Sequence, residues 1–240
     1  IYFMSAKSQV LDKLKQYEED ISGLFKGKRV VAISGLRSDN GGEFTGADTM
    51  AYCKRRGIRQ TFSAPYSPQQ MGLAERSNRS IVEGGRCLLS HAGQPKELWA
   101  EACATTVYLL NRMPSAALKG KTPYSAVFGK EAHLSHLRIW GCRAYVQIPP
   151  HKRKKLDDKA WPGILVGYDE SNPTCYRIYD PMTGKTHRSA HVSFDEKSFP
   201  GKLRAGCAAA MDAAGIEITI PVSSPKAVSY THLTLPTNRE

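Results

Sequence analysis

Residues 36–44 read LRSDNGGEF, two carboxylates separated by an amide and two glycines, just after the apolar run VVAIS of residues 30–34. Asn-Gly and Gly-Gly pairs are strong turn signals and by themselves ask for no chemistry. Asp39, however, stands at the end of a strand-like run and before a helix-like one, the place where open α/β folds present their working groups. On this stretch alone both readings stand, a plain turn and a carboxylate held for chemistry.

Working outward, RVVAISGLR (29–37) reads as a strand and the segment before it as a helix over residues 7–26, with Val10, Leu11, Leu14, Tyr17, Ile21 and Leu24 at helical spacing. After the turn, a helix over 45–56 is stopped by Gly57, and IRQTFSA (58–64), β-branched and aromatic in its middle, is a second strand. The prolines and glycine of PYSPQQMG (65–72) predict a mobile loop. Helices are expected over 73–91, despite Gly84 and Gly85, and over 96–112, before Pro114. This half is α/β.

Near residue 137 the pattern changes. LRIWGCRAYVQI, GILVGYD, CYRIYD and HVSFD are short alternating runs divided by Pro, Gly, Asn and Asp, which predicts a small all-β barrel of four or five strands. The expected division is residues 1–132, then 137–197, then a tail over 198–240 rich in Ala, Gly and Ser that reads as unstructured. The last stretch, VSYTHLTLPTNRE, has the look of translated adaptor or vector sequence.

The chain has 240 residues, 41% of them hydrophobic, enough for a packed core. Thirty-four Lys and Arg against 22 acids give a net charge of +12, which favours a polyanionic partner such as nucleic acid. Six scattered cysteines without a Cys-x-x-Cys pair read as reduced thiols of an intracellular chain, nuclear or cytoplasmic. His133 and His136 have the spacing of half a zinc site, but no cysteine pair accompanies them. No apolar run is long enough for a membrane span, so no membrane partner is expected.

Asp39 and Glu75 are joined by an expected helix, strand and loop, and Glu75 opens the next helix. Such a crossover can return the helix beside the first strand's end and let two distant carboxylates share one site. Phosphoryl transfer to DNA uses carboxylates in that way, holding two divalent ions about 4 Å apart. In GLAERSNRSIVE, Asn78 and Arg79 fall one turn after Glu75, where the cation can meet a phosphate or simply pair with the acid.

LRSDNGGEF, SAPYSPQQMGLAERSNRSIVE, LWAEACATTVYLLNRMPS and TPYSAVFGK together resemble the integrase region of copia-type retrotransposon Pol polyproteins. LRIWGCRAYVQIPPHKRKKLDDKAWPGILVGYD and YRIYDPMTGKTHRSAHVSFDE resemble the Src-homology-3-like barrel that follows the core there. The resemblance covers about residues 1–197. It implies an incomplete ribonuclease-H-like core followed by that barrel, with Asp39 and Glu75 as second and third members of a metal-binding Asp-Asp-Glu trio. It further implies Mg2+ or Mn2+ as cofactor, and element ends and target DNA as partners, with Gln69, Gln70, Asn78 and Arg79 on the DNA. Integrases of this kind act as multimers, so a homo-oligomer is expected. Two departures stand out. Met71 replaces the family's Asn in QQNG, and the first Asp has no counterpart, since Asp12 and Asp20 fall on the expected first helix. The family's amino-terminal zinc module is also missing. The expectation is therefore an N-terminally truncated copy with little or no strand transfer.

Lys152, Arg153, Lys154 and Lys155 form a basic run between two expected strands, either a solvated loop or a DNA-backbone contact. CKRRGIR, with Lys54, Arg55, Arg56 and Arg59, is a second such place. Trp140, Tyr145, Trp161 and Tyr168 read as barrel core before base-stacking platforms. Two rival readings stand beside the integrase: a noncatalytic nucleic-acid-binding protein derived from such an element, and a two-carboxylate hydrolase working without metal.

Overall fold

The computed structural model describes residues 1–24, 33–63, 72–169, 171–202 and 230–231. The chain divides into two compact units, Ile1–Arg79 with Ser224–Glu240, and Ser80–Ser223. Among the described residues no helix is long and apolar enough to cross a membrane.

In the first unit, α1 (Val10–Leu24) buries Val10, Leu14, Glu18 and Ile21, one stripe at helical spacing. Val10 and Leu14 of that stripe join Met4, Leu36, Phe44, Tyr52, Cys53 and Ile58 in one core. Glu18 is the one acid on the stripe, and its burial is possible because donors meet it. Tyr52 donates to its Oε2 and Arg56 Nε to its Oε1 at 2.9 Å, both from α3 (Ala47–Arg56), where they lie one turn apart. Hydrogen bonding from Arg56 holds the Glu18 carboxyl below its usual range, against the upward pull of burial.

Strand β2 (Gly35–Ser38) runs parallel to β3 (Arg59–Phe62), with Gly35 opposite Arg59 and Ser38 opposite Phe62. Parallel strands need a crossover, here the short α2 (Gly42–Thr45) followed by α3. Gly57 ends α3 in the left-handed region at φ 70°, as the sequence leads one to expect of a C-terminal glycine. Of the expected strand over 29–37 only its end is described, because residues 25–32 lie outside the described set. At the chain start, β1 (Tyr2–Phe3) pairs antiparallel with β9 (Tyr230–Thr231). The rest of the expected unstructured tail beyond residue 202 lies outside the described residues.

The second unit is built on α4 (Gly72–Ala92), which enters it at Ser80, and α5 (Trp99–Leu110). The two glycines that weaken α4 as a helix allow α5 to approach. A Cβ on Gly84 would lie 2.4 Å from Thr106 Cγ2, and one on Gly85 would lie 2.8 Å from Cys103 Sγ. Further along, α6 (Pro123–Phe128) is framed by Thr122, whose hydroxyl oxygen accepts from the Ser125 N–H at 2.9 Å, and by Gly129 at φ 68°.

Strands β4 (Arg143–Gln147), β5 (Ala160–Tyr168), β6 (Tyr176–Asp180), β7 (Lys185–Ser189) and β8 (Val192–Asp195) form one antiparallel sheet in the order β7-β6-β5-β4-β8. The unbroken apolar run in β5 has a physical cause: both its faces are covered. Ile164 and Val166 pack with Ala92, Leu98, Ala102 and Trp140, while Leu165 packs with Cys142, Ala144, Val146 and Ile178. The Thr105 hydroxyl and the Trp140 indole N–H both donate to the Val166 carbonyl, at 3.1 and 2.9 Å. Arg177 on β6 donates to Glu101 on α5 from Nε at 2.9 Å. Helix and sheet thus share one core, and the composition-based limits at 132 and 137 fall inside this unit.

Candidate functional site

The turn after β2 is built from its backbone outward. The Ser38 hydroxyl donates to the Asp39 carbonyl at 3.0 Å, and Asp39 Oδ1 accepts from the Gly41 N–H at 3.3 Å, an Asx turn. The Gly41 carbonyl then accepts from the N–H groups of Phe44 and Thr45 at 2.9 and 3.1 Å, which starts α2. Neither glycine is there for a positive φ, since Gly41 sits at φ −58°. Gly41 leaves room instead, because a Cβ would come within 2.7 Å of the Glu43 carboxylate.

The two acids of LRSDNGGEF part company here. Glu43 folds back on its own N–H and pairs with Lys7 Nζ at 3.2 Å; the backbone hydrogen bond, then Lys7, holds its carboxyl below the usual range. Asp39 is exposed, accepts from Gly41, and takes part in no ion pair among the described residues. Of the two, Asp39 is the carboxylate open to an outside partner. A second clamp fixes the turn from across the sheet. The Ser63 N–H donates to the Ser38 carbonyl at 2.9 Å, and the Asn40 amide donates to the Ser63 carbonyl at 3.2 Å.

Glu75 lies in the first turn of α4, where a carboxylate meets the positive end of the helix, and it is exposed. Asn78 is half-buried and Arg79 exposed; Glu75 and Arg79 form no ion pair with each other among the described residues. Arg79 takes part in no ion pair among the described residues. Arg76, by contrast, is engaged with the Gly72 carbonyl at 3.0 Å through Nε. Asp39 and Glu75 belong to the same compact unit. The segment between β3 and α4, residues 64–71 with Gln69 and Gln70, lies outside the described residues. Two hard carboxylate oxygen donors suit Mg2+ or Mn2+. Among the described residues no group of three or more His, Cys, Asp and Glu is gathered to hold a metal, so the donor type fits and the donor number falls short of a closed set.

The basic run Lys152–Lys155 lies in the connection between β4 and β5, with Lys152, Lys154 and Lys155 exposed and Arg153 half-buried. None of the four forms an ion pair among the described residues, and the loop is shaped by the Lys154 N–H donating to Asp157 Oδ2 at 2.7 Å. In the other basic stretch Arg56 is occupied by Glu18, leaving Lys54, Arg55 and Arg59 as exposed cations. The aromatics divide. Trp140 and Tyr168 are core, Trp161 packs edge-on against His187 with centroids 5.4 Å apart, and Tyr145 is exposed.

Two arrangements were not singled out from sequence. One is the Glu18–Tyr52–Arg56 network, whose only sequence signal is an acid on the 10-14-18-21 stripe. The other is the contact of the Tyr108 hydroxyl with His136 Nε2 at 2.8 Å, between residues 28 apart in the chain, which no local pattern marks.

Residues 142–206 match the retroviral polymerase SH3-like domain family. Over 196 residues, 82% of this chain, the sequence is 40% identical to the retrovirus-related Pol polyprotein from transposon TNT 1-94 of Nicotiana tabacum. It is 36% identical over 200 residues, 83% of this chain, to that from transposon RE2 of Arabidopsis thaliana. The chain spans 14% and 13% of the length of these two relatives. Among solved structures, the catalytic core domain of BIV integrase is 25% identical with a TM-score of 0.37, covering 52% of this chain and 73% of that one.

Proposed function

We propose that this chain, a homologue of the retrovirus-related Pol polyproteins of plant transposons, is the integrase portion of a copia-type polyprotein. Its first unit is part of a ribonuclease-H-like core, and the sheet that follows is a Src-homology-3-like barrel. Asp39 and Glu75 are two of the carboxylates that hold divalent cations for processing element ends and joining them to target DNA. The observation that carries this reading is the division of labour at the β2 turn: Glu43 is occupied by Lys7, while Asp39 stands exposed at the strand's carboxyl end with no ion pair among the described residues.

Mg2+ or Mn2+ at this site would activate the attacking oxygen and neutralise the leaving one. The chain's own part is positional. The Asx turn and the Asn40–Ser63 clamp fix the Asp39 backbone, and the first turn of α4 presents Glu75. Arg79 and the Lys152–Lys155 run supply cations that meet phosphates without reading bases. With two members of the expected trio present, the 240 residues alone carry little or no strand transfer. Incubation with Mn2+ and an element-end oligonucleotide tests this: unjoined substrate is the expected result, and efficient joining would overturn it.

A noncatalytic nucleic-acid-binding role, alone or as an oligomer, is the second reading. It is favoured by the basic run Lys152–Lys155, which forms no ion pair among the described residues. Binding to DNA that persists unchanged in EDTA, with no cation bound at Asp39, would select it over the first.

A further inference from the structure

Just beyond the carboxyl end of α5 the second unit gathers two arginines and two histidines, none of which takes part in an ion pair among the described residues. The Arg112 guanidinium lies 3.4 Å from the centroid of the Tyr108 ring and donates to the Tyr108 carbonyl at 3.0 Å. Tyr108 in turn stacks on Tyr168, centroids 4.7 Å apart, and its hydroxyl meets His136 Nε2 at 2.8 Å. The rings of His133 and His136 are close to parallel, at 9° with centroids 6.2 Å apart. Arg138 completes the group, fixed by donation to the Ser135 and Leu137 carbonyls at 2.8 and 2.7 Å.

The groups whose charge acts on His136 are Arg112, His133 and Arg138, all of which lower its pKa, and phenols surround it. Arg112 comes from the turn that follows α5, and His133 and Arg138 from its own segment. The phenols are Tyr108 of α5, Tyr168 of β5, edge-on at 5.6 Å, and Tyr176 of β6, which donates to the His136 carbonyl at 3.1 Å. None of Arg112, His133, His136 and Arg138 takes part in an ion pair among the described residues. Burial first, then Arg112, His133 and Arg138, hold the His136 imidazole below its usual pKa, which favours its neutral form. His133 is exposed and His136 and Arg112 half-buried, so an outside anion can reach all three.

The geometry points to this cluster as an anion site: a phosphodiester of a nucleic-acid backbone docks among Arg112, His133 and His136, and docking is coupled to proton uptake by His136. An anion within about 4–6 Å favours the charged imidazole and reverses the balance that the cations impose. The proton comes from solvent and lands on the ring nitrogen that lacks one, making both ring N–H groups donors. The Tyr108 hydroxyl stays hydrogen-bonded to Nε2 in either state, rotating to accept if Nε2 becomes the donor. The inference rests on the nucleic-acid reading above and adds to it a second contact site and a proton linkage that the Lys152–Lys155 run, permanently charged, does not supply.

The test uses the full 240-residue chain and a fluorescent DNA duplex, with anisotropy read at constant ionic strength at about pH 6 and about pH 8. The expected result is affinity about three- to tenfold higher at the lower pH, with that difference lost in His136→Gln and reduced in His133→Gln. The single variants separate the contribution of His136 and His133 from that of the other histidines. Because His136→Gln can disturb the Tyr108 contact, the wild-type His136 ring is also followed by NMR. Its titration midpoint rises when the duplex is bound. Binding with an unmoved midpoint, or with the same pH dependence in both variants, would overturn the inference and leave the nucleic-acid reading intact. No binding at either pH would overturn both.

Discussion

The Asn40 side-chain amide donates to the Ser63 carbonyl at 3.2 Å, so the turn that carries Asp39 is tied to the end of β3, where the chain departs toward the helix of Glu75. Asn40→Ala removes this clamp and leaves the backbone hydrogen bond from Ser63 to Ser38. The expected cost is about 1 kcal/mol in unfolding free energy. Urea denaturation measures it, and a larger weakening of divalent-cation affinity than of stability would mark Asn40 as a positioning residue.

Glu18 supplies a pH dependence. Its folded carboxyl titrates below its usual range, chiefly through Arg56, and so does that of Glu43 through its own N–H and Lys7. A carboxyl depressed in the folded state contributes stability above the unfolded value of about 4.3 and loses it as pH falls through the folded value. Stability of the first unit is therefore expected to decline on acidification below about pH 4.3. Glu18→Gln costs about 1–2 kcal/mol at neutral pH, discounted because Arg56 is half in water, and makes the acid decline shallower. Equal slopes in the two proteins would remove Glu18 from the explanation.

Gly85 and Gly141 are positions where space decides. A Cβ on Gly85 meets Cys103 Sγ at 2.8 Å. Gly141 combines φ 80° with a Cβ position 2.2 Å from the Cβ of Ala92. Gly85→Ala forces α4 and α5 apart and is expected to destabilise the second unit by about 1–3 kcal/mol. Gly141→Ala adds left-handed strain to a clash with a buried neighbour and is the more damaging of the two. Thermal unfolding of both variants checks the order.

The basic run makes a prediction in salt. Replacing Lys152, Lys154 and Lys155 with Gln lowers the magnitude of the slope of log affinity against log salt by up to about 0.9 for each duplex phosphate that a lysine no longer neutralises. Titrations at several salt concentrations read it directly. An unchanged slope would return the loop to a solvated role.

Much of this was legible in sequence, and for identifiable reasons. Helix α1 announced itself by the spacing of Val10, Leu14 and Ile21, and α3 by its terminal Gly57. The strand run GILVG was visible as apolar, but whether its two faces met helix or sheet depended on α5, about sixty residues earlier. At the site, Asp39 stood out because a turn follows a strand there. What sequence could not separate was Asp39 from Glu43, since the difference is made by Lys7, 36 residues from Glu43 in the chain and brought to it only by the fold. The role of Gly41 was equally hidden, because the Glu43 carboxylate that needs its missing Cβ turns back only once α2 has formed.

Under the proposed function Asp39 and Glu75 hold cations and Glu43 does not. The most direct measurement is paramagnetic broadening of backbone NMR signals by substoichiometric Mn2+ in the wild-type chain, Asp39→Asn and Glu43→Gln. The prediction is selective broadening around residues 39 and 75 in the wild type, abolished by Asp39→Asn and retained in Glu43→Gln. Broadening that survives Asp39→Asn, or that centres on Glu43, would contradict it.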